Sequence, residues 1–442
     1  MPLNADGPSA GLERRVAAIL DARLQRDADH PVAIALSGGG DSVALLGMVT
    51  DWARIARRRV LAITVDHGLN PDSASWNRLC EAEARRLGAD WVLRRWEGDK
   101  PSTGLPAGAR RARHALIADA ARDAGARVVL FGHTADDVVE GDWMRERGST
   151  LGRLREWSPS PAWPEGRGLM LLRPMLSERR EALRDYLRAR GAGWIDDPGN
   201  ARFERGRARQ ALASLIADAL EAVWGDGSYR SEASLSAPRL ADCSALRASS
   251  PLPLGEGFEG GDDLSATILC AAGHDRLPRS DRLDALLDRL ARSHPFTATL
   301  AGARIEATGH RLLILREAGE FRRRPPVPLP LTPDRPAVWD GRYEITTSEP
   351  GWSVVPALGR LAALSDADRA VAALSPAAAR GALPVLIRDG DPRPVLAWRN
   401  ARVLALAPRR LKLAQWAFSG ETTQERDLVS PVHGETLPPD LF

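Results

Sequence analysis

The chain has 442 residues, room for about three domains. Its 61 lysines and arginines nearly balance 58 acidic residues, so a net charge of +3 sets up no global field for a polyanion, and any nucleic-acid contact must come from local clusters. Cys80, Cys243 and Cys270 form no C-x-x-C pair, which argues against zinc, iron–sulfur or disulfide frameworks, and no run of 18 apolar residues or apolar leader occurs. The expectation is a cytoplasmic protein in a reducing compartment, with no membrane partner.

In chain order, apolar runs at Val32–Leu36, Val60–Val65, Trp91–Leu93, Val128–Phe131 and Leu169–Leu172 predict strands. Between and after them, helical periodicity predicts Ser42–Ala56, Ser75–Leu87, Gly108–Ala124, Asp136–Arg145 and Ser177–Arg190. This alternation implies βαβ units and a doubly wound parallel α/β sheet. We expect it to form a catalytic domain over 1–215. A connecting helix and a Ser/Gly/Pro-rich linker follow over 216–263, then a small helical or α+β domain over 264–320, with helices at Leu264–Ala272 and Arg282–Ala291 and strands at Thr297–Ala303 and Arg311–Leu315. The run Arg322-Arg323-Arg324-Pro325-Pro326 marks a boundary within 321–332, because consecutive prolines stop helix and sheet alike. A second smaller α+β domain closes the chain over 333–442.

The first strand runs into Ser37-Gly38-Gly39-Gly40-Asp41-Ser42 and then a helix. Glycines let backbone N–H groups approach an anion closely, and the helix dipole favours negative charge there, so this turn suits a phosphate chain. It has no Walker lysine and no G-x-G-x-x-G spacing. Two further strands end in chemistry, at Asp66-His67-Gly68 and at Gly132-His133. In a sheet of this kind ligands gather at the carboxyl ends of the strands where their order reverses.

His133, Asp137 and Glu140 recur at i, i+4 and i+7, on one side of a helix. Asp137 and Glu140 would offer hard oxygens to Mg2+ with the His133 imidazole beside them, although Thr134-x-x-Asp137 is equally a capping box. Asp66 and His67 would meet the base or ribose of a nucleotide, or simply end a strand. Arg110 and Arg113 share a helix face and could fork onto substrate, or form a solvated basic face. Arg202, Arg205, Arg207 and Arg209 follow a turn and form a stripe suited to nucleic-acid backbone.

Ser37, Asp41 and Ser42 in this setting resemble the pyrophosphate-binding loop of the N-type ATP pyrophosphatases, the PP-loop enzymes. VDHGL at 65–69, ARRARH at 109–114, GHTADDVVE at 132–140, Arg147-Gly148-Ser149, Arg173-Pro174 and WIDDPGN at 194–200 extend the likeness, and the chain resembles the tRNA(Ile)-lysidine synthetase family over nearly its whole first half. Thr134, Gly141 and Gly206 depart from that family's usual residues, and Arg409-Arg410-Leu411-Lys412 is a faint echo of its C-terminal basic signature. The resemblance implies a ligase that uses ATP to adenylate O2 of the wobble cytidine of a minor isoleucine tRNA with a CAU anticodon, after which the ε-amine of L-lysine attacks C2. It implies that Ser37, Gly38, Gly39, Gly40, Asp41 and Ser42 bind pyrophosphate, with Asp66 and His67 near the nucleotide. Arg110 and Arg113 would lie near substrate, Asp41, His133, Asp137 and Glu140 would be catalytic, and Asp41, Asp137 and Glu140 would hold magnesium. It leaves room for a homodimer. The alternatives are another PP-loop tRNA-modifying enzyme, or a catalytically silent relative that binds tRNA or nucleotide.

Overall fold

The computed structural model describes residues 8–147, 154–195, 252–253, 261–275, 277–292, 294–308, 311–388, 390–415 and 420–421. The chain divides into two compact units: Met1–Leu235 with Ala417–Asp427, and Ser236–Trp416 with Leu428–Phe442. No described helix is long and apolar enough to cross a membrane.

Along the first unit run α1 (Pro8–Arg23), β1 (Val32–Ala35), α2 (Gly40–Ala56), β2 (Val60–Asp66), α3 (Ser73–Arg86), β3 (Asp90–Arg95), α4 (Leu105–Asp123), β4 (Val128–Leu130), α5 (Ala135–Glu146), β5 (Trp157–Pro159), β6 (Met170–Leu172) and α6 (Arg180–Ala189). The strands lie in the order β3-β2-β1-β4-β6-β5. Every pairing is parallel except β5 on β6. From β1 the chain winds outward through β2 to β3, then returns to the other side of β1 as β4. The order therefore reverses between β1 and β4, which pair through Ala33 with Val129 and Ile34 with Leu130.

The central strands are continuous apolar runs because both their faces are covered. On one face Ala33, Leu61, Ile63, Val129, Phe131 and Leu171 pack against Ile117, Ala118 and Ala121 of α4. Residues of the other parity, Ile34, Ala62, Leu130 and Leu172, are fully buried on the opposite face. Truncating one of the large side chains in these layers costs about 2–5 kcal/mol, so the strand ends that carry chemistry stand on a stiff platform. The parallel sheet is as expected. The edge strand β5 is an addition: Trp157-Ser158-Pro159 is too short to show a period, and its proline fits an edge, where no ladder N–H is needed.

In the second unit β7 (Leu252–Pro253), α7 (Gly261–Ala272), α8 (Ser280–Ala291), β8 (Phe296–Leu300), β9 (Ala303–Thr308) and β10 (Arg311–Arg316) make an antiparallel sheet, ordered β7-β10-β9-β8, with two helices. Leu264, Ile268 and Leu286 pack against Ile305, Leu312 and Ile314. The strand expected over Thr297–Ala303 stops at Leu300, because Ala301 and Gly302 both take left-handed backbone and turn a two-residue hairpin into β9. After α9 (Gly319–Arg323) come β11 (Leu329–Pro330), β12 (Ala337–Trp339), β13 (Tyr343–Thr346), β14 (Trp352–Pro356), α10 (Asp366–Ala373), β15 (Pro384–Arg388), β16 (Asp391–Leu396), α11 (Ala397–Asn400), β17 (Arg402–Ala405) and α12 (Ala407–Gln415). They form two sheets, β11-β14-β15-β16 and β12-β13-β17, which share a core of Phe321, Trp339, Tyr343, Ile345, Trp352, Val354 and Leu386.

A short piece of distant chain belongs to the first unit. Glu421 places its carboxylate on Arg58, with Oε2 2.9 Å from Nη1 and Oε1 3.0 Å from Nη2, and both side chains are almost wholly buried. His30 Nε2 lies 2.7 Å from Oε1, and the Gln25 N–H donates to Oε2 at 2.8 Å. Although burial opposes ionisation, the His30 and Arg58 hydrogen bonds and the Arg58 charge hold the Glu421 pKa down at about 2, below its ordinary 4.5. Glu421→Gln leaves the Arg58 charge buried without its counter-ion and should cost about 3–5 kcal/mol at neutral pH. Because the folded-state pKa is depressed, this stability is present above about pH 4.5 and is lost as pH falls towards 2. Melting curves of the native protein and Glu421→Gln should therefore converge over that window, and a gap that stays constant down to pH 2 would contradict the assignment.

Candidate active site

The loop after β1 is fixed from within. Ser42 Oγ donates to the Gly39 carbonyl at 2.8 Å and accepts from the Ser37 N–H at 3.2 Å, while Ser37 Oγ lies 3.1 Å from it. Ser37 itself is exposed. Gly38 has φ +82°, and a Cβ there would lie 2.6 Å from Ile195 Cδ1, while its carbonyl accepts from the Ile195 N–H at 2.9 Å. WIDDPGN thus begins against the loop, and its later residues lie outside the described ones. Gly132, just beyond β4, meets backbone instead of side chain: a Cβ on it would sit 2.9 Å from the Asp41 carbonyl oxygen and 3.1 Å from Ser42 N.

Thr134 and Asp137 form the capping box that the sequence offered, with the Thr134 N–H and hydroxyl both donating to Asp137 Oδ2 at 2.9 Å. Capping uses only one carboxylate oxygen. Asp137 Oδ1 lies 3.5 Å from Arg180 Nη2, Glu140 Oε1 3.1 Å from Nη1, and Asp41 Oδ2 3.3 Å from Nε. Arg184 adds a longer approach to Asp41, 4.0 Å. Three carboxylates from α2 and α5 thus share one guanidinium from the first turn of α6, whose backbone N–H is itself held by Asp136 at 2.7 Å. Burial pushes the Asp41 carboxyl up from its ordinary value and nearby Asp137 adds to this, against the opposing pull of Arg180 and Arg184. Burial works against the charge on Arg180, but Asp137, Glu140 and Asp41 outweigh it and hold that charge firmly.

Asp66 and His67 sit at the end of β2. The Asp66 carboxylate is engaged locally, accepting from the Gly68 N–H at 2.9 Å and from Asn77 Nδ2 at 3.2 Å. His67 Nδ1 is buried and has no partner among the described residues, and its ring meets Trp96 edge-on at 6.1 Å. Burial, then Arg113, lower its pKa, so it is a neutral polar group at the cleft. The Arg113 charge acts on both His67 and His114, and that of Arg110, one turn earlier on α4, on His114 and Arg173.

His133 is nearly buried at the end of β4. Arg173, just beyond β6, donates Nε–H to its Nδ1 at 3.2 Å and Nη1–H to the Arg155 carbonyl at 2.7 Å and Ser158 Oγ at 3.1 Å. The structure therefore gathers Ser37, Asp41, Ser42, His133, Asp137 and Glu140 around the β1/β4 switch point, and sets Asp66 and His67 one strand away. Arg202, Arg205, Arg207 and Arg209 lie outside the described residues. Sequence reasoning missed Arg180 and Arg184, although their i, i+4 spacing on an amphipathic helix was visible. Arg173 was noticed only as part of a motif.

No group of three or more His, Cys, Asp or Glu side chains among the described residues is spaced to hold a metal ion. The cation that the three carboxylates share in the structure is the Arg180 guanidinium.

A glycine turn without a Walker lysine at the switch point of a doubly wound sheet defines the site class, an ATP-using PP-loop enzyme, and the PP-loop domain family model matches residues 9–216. The chain is 44% identical to the tRNA(Ile)-lysidine synthase of Caulobacter vibrioides over 90% of its own length and 97% of the relative's. It is 34% identical to that of Hyphomonas neptunium over 68% of this chain and 86% of the relative, and 35% identical to that of Mesorhizobium japonicum over 84% and 87%. The chain belongs to the tRNA(Ile)-lysidine synthase family, and is thereby an ATP-dependent, tRNA-modifying ligase.

The approach of Gly132 to the Asp41–Ser42 backbone is testable. Backbone cannot swing aside as a side chain can, so Gly132→Ala should displace the loop, costing about 1–3 kcal/mol of stability and weakening ATP binding. Gly141→Ala, whose added Cβ meets only the flexible end of Arg145 at 3.4 Å, is the control. Isothermal titration with ATP compares the two, and equal affinities in both variants would show that Gly132 does not set the loop.

Proposed function

We propose that the first unit adenylates O2 of the wobble cytidine in an isoleucine tRNA with a CAU anticodon, and that L-lysine then displaces AMP. In the first step O2 bonds to the α-phosphorus and the bridging P–O bond to pyrophosphate breaks. In the second the ε-amine, as free base, bonds to C2 and loses a proton, while the C2–O bond breaks and AMP leaves. The observation that carries this reading is the glycine turn with its two serine hydroxyls, set beside three convergent carboxylates at the strand-order reversal. A ligase acting on tRNA and ATP in this way works in the cytoplasm.

In this reading the Ser37–Ser42 loop orients the β- and γ-phosphates, with backbone N–H groups and the α2 N-terminus facing them. His67 and Arg113 border the nucleoside, and Arg110 lies nearer the reacting base. Asp41, Asp137 and Glu140 would hold magnesium, a hard cation suited to carboxylate oxygens completed by phosphate. The chemistry it would supply when bound is neutralisation of charge on pyrophosphate. Arg180 holds the three carboxylates together. Arg202, Arg205, Arg207 and Arg209, with the second unit, would hold the tRNA backbone and leave the single-stranded anticodon loop to be read at its base edges.

Incubation with ATP, labelled lysine and a CAU-anticodon transcript should give AMP, pyrophosphate and lysine in RNA, and ADP with phosphate would overturn the scheme. Asp41→Asn should lower the rate at least about a hundredfold with little change in melting temperature. A helix cap alone is worth about 1 kcal/mol, so an Asp137→Ala variant that melts earlier yet turns over normally would reduce Asp137 to a capping residue.

The tRNA contact has its own signature. Replacing the four arginines should flatten the dependence of log affinity on log salt by roughly one unit per lost phosphate contact, with ATP affinity preserved. An unaltered slope in filter-binding titrations would move the RNA contact elsewhere in the chain.

A further inference from the structure

The environment of His133 decides which of its nitrogens carries a proton. Its Nδ1 faces Arg173 Nε at 3.2 Å. A guanidinium has five N–H donors and no acceptor, so Nδ1 must present its lone pair and the ring's proton must sit on Nε2. Arg173 is anchored from behind by the Arg155 carbonyl and Ser158 Oγ, so it cannot turn away to relieve a clash. Although burial and then Arg110 lower its pKa to about 10, it stays a cation at neutral pH.

The rest of the surroundings act in the same sense. His133 stacks on Phe131 with centroids 5.8 Å apart, and Phe131 also stacks on His114 at 5.3 Å. Burial, then Arg113 and Arg110, lower the His114 pKa to about 2, so it is a neutral ring. Among the described residues the charged and titratable groups on this side of His133 include Arg173 beyond β6 and Arg110, Arg113 and His114 on α4, while Asp137 is engaged by Thr134. Protonating Nδ1 would set two donors face to face beside two arginines.

We propose that Arg173 is a positioning residue that fixes His133 as the neutral Nε2–H tautomer, so that this imidazole meets the phosphate chain of ATP as a hydrogen-bond donor and not as a proton acceptor. The reading rests on the assignment of this cleft to ATP. His133 follows Gly132, which lies against the Asp41–Ser42 backbone, so the imidazole belongs to the strand end that abuts the glycine turn. A neutral donor stabilises charge developing on a phosphate oxygen without carrying a proton away. The second partner of the imidazole selects the tautomer, as it does where histidine serves as a metal ligand.

The test uses the full chain labelled with 15N-histidine, with His133→Gln assigning the resonances. Two-bond 1H–15N correlation spectra should show Nδ1 as a bare imine nitrogen and Nε2 as an N–H nitrogen, unchanged from about pH 6 to about pH 8.5, across the range where an ordinary imidazole titrates. In Arg173→Met, His133 should titrate within that range, and Arg173→Lys should restore the fixed pattern. An Nδ1–H tautomer or a titrating imidazolium in the native protein overturns the proposal, whether or not Arg173→Met folds. Kinetics give a second arm. Glutamine offers an amide N–H where Nε2–H stood, so His133→Gln should keep pyrophosphate release within about tenfold of native while His133→Ala loses about a hundredfold or more. Equal losses in both would exclude the donor role. A native protein that binds no ATP would instead defeat the assignment of the cleft, and the spectra would still report the tautomer.

Discussion

Everything at the site depends on how closely β4 approaches the turn that follows β1. The two strands are neighbours because the winding reverses between them, and Gly132 lets the backbone of one strand end touch that of the other, with no room for a side chain. This contact brings two helix N-termini together, α2 carrying Asp41 and α5 carrying Asp136 and Asp137 in their first turns. Carboxylates at helix N-termini are individually favoured by the dipole. Converging, they repel one another, and burial raises the cost. The fold answers with a third helix start, that of α6, whose Arg180 is bonded through its backbone to Asp136 and through its side chain to Asp41, Asp137 and Glu140.

That arrangement explains how one aspartate serves two ends. Capping and catalysis are rival readings of Thr134-x-x-Asp137 in a linear sequence, but a carboxylate has two oxygens. Oδ2 closes the capping box and Oδ1 faces the shared cation. The cap fixes the rotamer, and the fixed rotamer aims the second oxygen. Similar economy holds at Asp66, whose two oxygens tie down the turn at Gly68 and the helix at Asn77, and so hold His67 in place.

The parallel sheet and its ligand-bearing strand ends were legible because buried parallel strands read as continuous apolar runs and chemistry collects where such runs stop. Val128-Val129-Leu130 followed by Gly132-His133 is an instance. Helix starts moved by one to three residues, and that of Leu105–Asp123 moved by three because Pro106 is tolerated in a first turn where the periodicity alone does not reach. What the sequence hid were partners brought in from afar. Arg180 is 139 residues from Asp41, and Glu421 is 363 residues from Arg58, so no local pattern pairs them. The stripe Leu12, Val16, Leu20 in α1 was available at four-residue spacing and went unused, although all three side chains are buried.

The same distinction separates the two kinds of polar residue at the site. Groups that would touch ligand sit on short motifs, since a loop, a strand end and a first helical turn are local objects with local rules. Groups that orient them, Arg173 for His133 and Arg180 for the carboxylates, come from distant sequence, just beyond β6 and at the start of α6, and the pairing of β6 with β4 and the packing of α6 on α2 bring them near. Arginine suits that task better than lysine, because a rigid fork commits several donors at fixed angles and stays charged when buried. A lysine at 173 or 180 could neutralise one neighbour, but its single ammonium would not hold three carboxylates in register. It would also bond to an imidazole nitrogen without gripping the Arg155 carbonyl at the same time. The site is thus assembled by residues whose role is legible only in three dimensions, around motifs whose role is legible in one.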